Sequence, residues 1–196
     1  DHAVVATYLN NAAQYHSQSG DYEGALADFD LALEAYAERF GTDHPEYATC
    51  LENRGGVLYR LGRVEETFAA LEQVRDIRAR NLGPSHLAVV RTGLNMGAVS
   101  SLAGEYERAL AIFSELKPIL IEARGRDHPD VLTVLRNEGL ALRSLNRNDE
   151  ALALFEDRDG DVHRLHRCVR LTRELRPESE HDVSARQECL AGWVQG

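Results

Sequence analysis

No apolar run in the sequence approaches the roughly 20 residues needed to span a bilayer. The N-terminal stretch also lacks the charged, apolar and small-residue succession of a secretory signal, so a cytoplasmic location is expected. Cysteine is sparse. Cys50, Cys168 and Cys189 are odd in number and form no CxxC pair, which argues against a disulfide framework and for thiols in a reducing compartment. Positive charge is outweighed: 22 basic against 32 acidic residues leave a net charge of −10, which excludes a general nucleic-acid binder, because affinity for phosphate backbones needs concentrated Lys and Arg. Lys117 is the only lysine. There is no G-x-S-x-G, no P-loop, no H-E-x-x-H and no glycine-rich dinucleotide turn, and no enzymatic activity or cofactor is expected.

What is present is ordinary in bulk and periodic in detail. Hydrophobic residues make up 43% and charged residues 28% of the 196, the balance of a soluble globular protein with enough core to fold without metal or disulfide. The chain starts Asp1-His2 without a methionine, as expected of an excised fragment. His2, His44, His86 and His128 recur at a step of 42 residues. Asn11, Asn53, Asn95 and Asn137 recur at the same step, as do Gly20, Gly62 and Gly104 with Asn146 in the fourth place, and Phe29, Leu71, Phe113 and Phe155. A fixed period in this range marks a solenoid or array of supersecondary units.

Each unit reads as two helices. Asp1, Asp43, Ser85 and Asp127 are the expected N-caps of the first helices; Glu46 and Asp130 complete capping boxes, and Pro45 and Pro129 fall in the first turn, where a missing N–H is harmless. The first helix ends at Gly20, Gly62, Gly104 or Asn146, residue types that tolerate positive φ. The second helix carries Ala25 and Phe29, Thr67 and Leu71, Ala109 and Phe113, or Ala151 and Phe155: a small residue and a large one at i, i+4, which admit and fill against the neighbouring helix.

The stretch "GTDHPEYATCLENRGGVLYRLGRVEETFAAL", residues 41–71, resembles a tetratricopeptide repeat of the long, 42-residue kind found in kinesin light chains and in many bacterial signalling proteins. The resemblance covers residues 1–155 as four units, approximately 1–42, 43–84, 85–126 and 127–168. It implies an all-α, right-handed superhelical array of antiparallel helix pairs. Departures from the family pattern are Arg54 at an apolar position, Thr67 and Leu71 in place of Ala and an aromatic, Asn148 in place of the tyrosine seen at Tyr22 and Tyr106, and Pro118, expected to kink or shorten its helix. Residues 156–177 are expected to form an irregular insertion and a helix completing repeat four, and 178–196 a truncated fifth repeat or capping helix through which the chain could self-associate.

By the resemblance, the first helices line a concave groove that holds peptides, with Asn at the matching place. The amides Asn11, Asn53, Asn95 and Asn137 are therefore the central candidates, since an amide both donates and accepts and pairs with any peptide backbone. The alternative is an amide bonded to the backbone of the neighbouring repeat. Asn10, Gln14, Tyr59, Arg60, Arg91, Arg136 and Arg143 are the further residues expected to face the groove. Beyond their first turns the first helices carry Arg54, Arg60, Arg91, Arg136 and Arg143 against Glu52 and Glu138, while acids crowd the second helices, so a positive groove and an acidic peptide ligand are expected.

Two metal readings fail on chemistry. The four periodic histidines lie on successive units and cannot converge on one ion. "DRDGDVHRLHRC", residues 157–168, has its glycine two places too early for a calcium loop and no closing Glu. Cys50 is expected to be a small core residue rather than a nucleophile. The expected function is a non-catalytic interaction module that binds a partner peptide. The alternative is a regulatory or sensor arm of a larger bacterial signalling ATPase or transcriptional regulator, acting within its own chain.

Overall fold

The computed structural model describes residues 2–156, with the side chains of residues 3–154. Among the described residues there are eight α-helices and no strand. They are α1 (His2–Ser19), α2 (Tyr22–Phe40), α3 (Pro45–Arg60), α4 (Val64–Leu82), α5 (Leu87–Leu102), α6 (Tyr106–Arg124), α7 (Pro129–Ser144) and α8 (Asn148–Glu156). The chain divides into two compact units, residues 1–151 and 152–196. Of the second only the end of α8, residues 152–156, is described. The first is a right-handed superhelical array of antiparallel pairs, α1–α2, α3–α4 and α5–α6 followed by α7, in which each helix packs on its neighbours in sequence.

The turns within the pairs form as their residues dictate. Gly20, Gly62 and Gly104 take φ of 86°, 73° and 81°, and Asn146 takes 58°, the one non-glycine residue at positive φ among those described. The caps of the first helices differ from expectation. His44, His86 and His128, not the residues before them, are the N-caps, and each Nδ1 accepts a hydrogen bond at 3.2 Å from the amide two places on, of Glu46, Ala88 and Asp130. With the cap shifted by one residue, Glu46 and Asp130 are no longer in capping-box register. Asp43 instead ties the hairpin closed: its carboxylate accepts from Arg80 and its carbonyl from Asn81 Nδ2 at 2.8 Å. Asp1 lies outside the described residues.

Pro118 does not shorten α6, which runs 19 residues like α2 and α4. The proline ring is exposed, on the side where a lost backbone bond can be solvated. The core lies in two clusters joined through α4. Phe29, Leu58 and Val74 centre the first; Leu71, Met96, Phe113 and Leu120 centre the second. Each such side chain contributes roughly 1.5–3 kcal/mol by burial. Close approach fixes the residue type at Gly97, where a Cβ would meet Phe113 Cε1 at 2.5 Å. Cys50 is a core residue, 1% exposed, and burial pushes its thiol up to about 12 despite the nearby Arg54, so it is no nucleophile.

Candidate peptide-binding surface

At 3.6 residues per turn, positions four and one before the recurrent asparagine and three and seven after it share a stripe with it. On α1 that stripe is Thr7, Asn10, Asn11, Gln14 and Gln18; on α3 it is Thr49, Glu52, Asn53, Gly56 and Arg60. On α5 it is Arg91, Leu94, Asn95, Ala98 and Leu102, and on α7 Thr133, Arg136, Asn137, Leu140 and Ser144. The first helices approach one another directly, α1 with α3 and α5 with α7. Asn53 Nδ2 donates to Asn10 Oδ1 at 3.4 Å, a long bond that joins the stripes of α1 and α3.

The other amides are not consumed internally. Asn11 is exposed and Asn95 and Asn137 are half-buried, and none of their side chains has a hydrogen-bond partner among the described residues. The bond to the neighbouring repeat's backbone does not occur at these positions. Gln14 is half-buried on the same stripe. Thr7, Thr49 and Thr133 turn their hydroxyls back onto the carbonyls of Ala3, Pro45 and Pro129 at 2.9–3.0 Å. Arg91 holds the equivalent place on α5 and projects instead.

Ion pairing sorts the charges. Arg54 is paired with Asp30 on α2 at 2.6 Å. Glu52 is taken by Arg78 on α4, which also donates to Thr92 Oγ1 on α5 at 2.7 Å, so one guanidinium laces three helices. Glu138, only 2% exposed, accepts from Lys117 on α6 at 2.8 Å and from Ser114 Oγ at 3.3 Å. Both first-helix carboxylates beyond the first turns are thereby neutralised, while Arg60, Arg91 and Arg136 are exposed and have no ion pair among the described residues. Arg143 is half-buried and engaged within the chain. Tyr59 is half-buried too; burial raises its phenol above the usual range against the opposing pull of Arg60, so the hydroxyl stays protonated.

Gly56 stands at the middle of the α3 stripe. Nothing lies within 4 Å of where its Cβ would be, so neither packing nor a turn demands glycine there. Helix-interior glycine costs about 1 kcal/mol relative to alanine, and the residue leaves bare backbone on the wall. In the sequence Gly55 and Gly56 are indistinguishable; only the structure shows Gly55 buried and Gly56 on the open side.

No group of three or more His, Cys, Asp and Glu among the described residues is arranged to hold a metal. The stretch 157–168 lies outside them. No described helix is long and apolar enough to cross a membrane. The recurring pair of helices, with its cap, glycine turn and small-to-large contact, matches the tetratricopeptide repeat over residues 4–77, 51–115 and 89–158. The chain belongs to the tetratricopeptide repeat family. No curated protein matches it.

Solved structures share its fold at low identity. BtubC (BKLC) from P. vanneervenii superposes with a TM-score of 0.70 at 18% identity over 92% of this chain and 69% of that one. A Podosopora anserina putative kinesin light chain with nearly identical TPR-like repeats gives 0.67 at 19% identity, over 100% and 87%. The Rap conjugation gene regulator of plasmid pLS20, in complex with the Phr* peptide, gives 0.60 at 18% over 78% of this chain and 41% of its own length.

Proposed function

We propose that the first-helix wall binds an extended segment of a partner protein, with Asn95 and Asn137 pairing to its backbone and Arg60, Arg91 and Arg136 to its acidic side chains or C-terminal carboxylate. The observation that carries this reading is the coincidence, on one stripe, of amides without internal partners and arginines without counter-ions. Three or four amide bonds at roughly 1 kcal/mol each, with charge-assisted contacts, suffice for micromolar affinity, about −8 kcal/mol. Asn11, Asn10, Asn53 and Gln14 extend the same surface, Asn53 exchanging its weak bond to Asn10 for the ligand, while Tyr59 and Arg143, six places past their asparagines, border it. No catalytic role is proposed.

A second reading makes the repeats a regulatory arm that engages a domain of its own protein. The likeness to the Rap regulator, which was solved with a bound peptide and is longer than this chain, favours keeping it. Selection of binders from a displayed random-peptide library tests the first reading. The expected winners are rich in Asp and Glu, and Arg91→Glu and Asn95→Ala each weaken them about tenfold, near 1.4 kcal/mol. Winners of no consistent charge, unaffected by both substitutions, would remove the groove; a library with no winners, beside binding to a neighbouring domain, would favour the second reading.

A further inference from the structure

Arg78 stands where the other described units bury an apolar residue. One repeat step away on the second helices its counterparts are Tyr36 on α2 and Leu120 on α6, 4% and 2% exposed. Packing is therefore satisfied by a hydrophobic side chain at this place, and a nearly buried ion pair is often no more stabilising than an apolar filling of the same volume. The side chain of Arg78 is nevertheless only 12% exposed, and its hydrogen bonds reach toward α3 and α5. The end of the guanidinium grips both carboxylate oxygens of Glu52. Nη1 also donates to Thr92 Oγ1 at 2.7 Å, and that hydroxyl donates on to the carbonyl of Ala88 at 2.9 Å. A planar fork bonded at three points is fixed on its carboxylate.

Glu52 is the only acid on the four stripes that carry the recurrent asparagines. The equivalent places hold Asn10, Leu94 and Arg136. Charges are felt over roughly 8 Å at physiological salt, and a ligand pairing with the amides passes within that range, because Glu52 adjoins Asn53 on the stripe. A bare carboxylate there would repel an acidic segment. Paired to Arg78 it adds no net charge, and Arg60, Arg91 and Arg136 set the sign of the wall.

We infer that Arg78 sets the charge preference of the wall as a positioning residue: by holding Glu52 it admits acidic ligands, although it lies on a second helix and outside the stripes. The inference rests on the reading of the wall as the site of an acidic segment. Removing the guanidinium makes the wall more negative by one charge, and removing the carboxylate makes it more positive by one. Removing both restores the balance.

Fluorescence anisotropy of the full chain with two labelled decapeptides, one alternating Asp and Ser and the other alternating Lys and Ser, is the test. The wild type is expected to prefer the acidic peptide. Arg78→Met is expected to weaken that peptide about tenfold and to strengthen the Lys peptide, whereas a loss of packing alone would weaken both alike. Glu52→Gln keeps an acceptor for Arg78 and is expected to tighten the acidic peptide about threefold. The two substitutions together should return both peptides to within about twofold of the wild type. Arg78→Lys, which keeps the charge, should retain most of the preference. If circular dichroism shows Arg78→Met unfolded, Glu52→Gln and Arg78→Lys decide the matter. Arg78→Met that moves both peptides together, or neither, overturns the inference and leaves the reading of the wall standing, and so does Glu52→Gln that weakens the acidic peptide. A wild type without preference for the acidic peptide overturns that reading and the inference with it.

Discussion

Gly56 and Gly97, both inside first helices, carry opposite consequences for the same substitution. At Gly56 a methyl group enters open space, so Gly56→Ala is expected to raise stability by about 1 kcal/mol through helix propensity alone. At Gly97 the methyl would lie 2.5 Å from the Phe113 ring, and Gly97→Ala is expected to cost about 1–3 kcal/mol by overpacking. Urea melts of the two variants check both signs. Cys50 allows a third test at this scale. Its buried thiol, held protonated up to about 12, should resist iodoacetamide in the folded chain at pH 8 and react once urea exposes it. Because the unfolded thiol ionises near 9, that proton contributes stability below this pH and the contribution is lost as pH rises toward 12. The half-buried Tyr59, raised in the same direction, adds to the loss at the alkaline end.

Helix starts and inter-helix ion pairs decide the stability of the elements. His86→Ala removes the side chain that caps α5 and is expected to cost about 1 kcal/mol, while His86→Asn, which restores an acceptor, should recover most of it. Lys117→Met leaves Glu138 buried without its cation. Lys117 is itself a quarter exposed and Ser114 stays in reach, so about 2–3 kcal/mol is expected, toward the lower end for a buried pair. Arg54→Met, whose partner Asp30 is half exposed, should cost under about 1 kcal/mol. Thermal melts rank the three. The helix pairs, their glycine turns and the place of Cys50 were legible because they depend on residues close in sequence and repeat at one step. The caps were misread by one residue because Asp and Ser dominate helix caps in general, and the geometry that lets imidazole Nδ1 reach the second amide is not a sequence pattern. Pairings such as Arg78 with Glu52, 26 residues apart, depend on how one unit leans on the next and could not be read beforehand.

For the molecule as a whole, excess acid and a locally basic wall coexist because pairing is uneven. Beyond the first turns, the acids of the first helices, Glu52 and Glu138, are paired by Arg78 and Lys117, whereas Arg60, Arg91 and Arg136 have no ion pair among the described residues. The sequence counts Arg54 and Arg143 with the others toward a positive groove, but Arg54 is paired with Asp30 and Arg143 is engaged within the chain. The structure leaves Arg60, Arg91 and Arg136 as the free set. Binding of an acidic peptide should weaken as salt is raised from 50 to 500 mM, since exposed charges are screened over about 10 Å or less. The most direct measurement is a nuclear magnetic resonance titration of the labelled chain with a selected acidic peptide. The side-chain amides of Asn95 and Asn137 and the guanidinium of Arg91 should shift together, while the outer faces of α2, α4 and α6 stay unmoved. Shifts confined to those outer faces, with the asparagine amides still, would contradict a recognition surface built from the first helices.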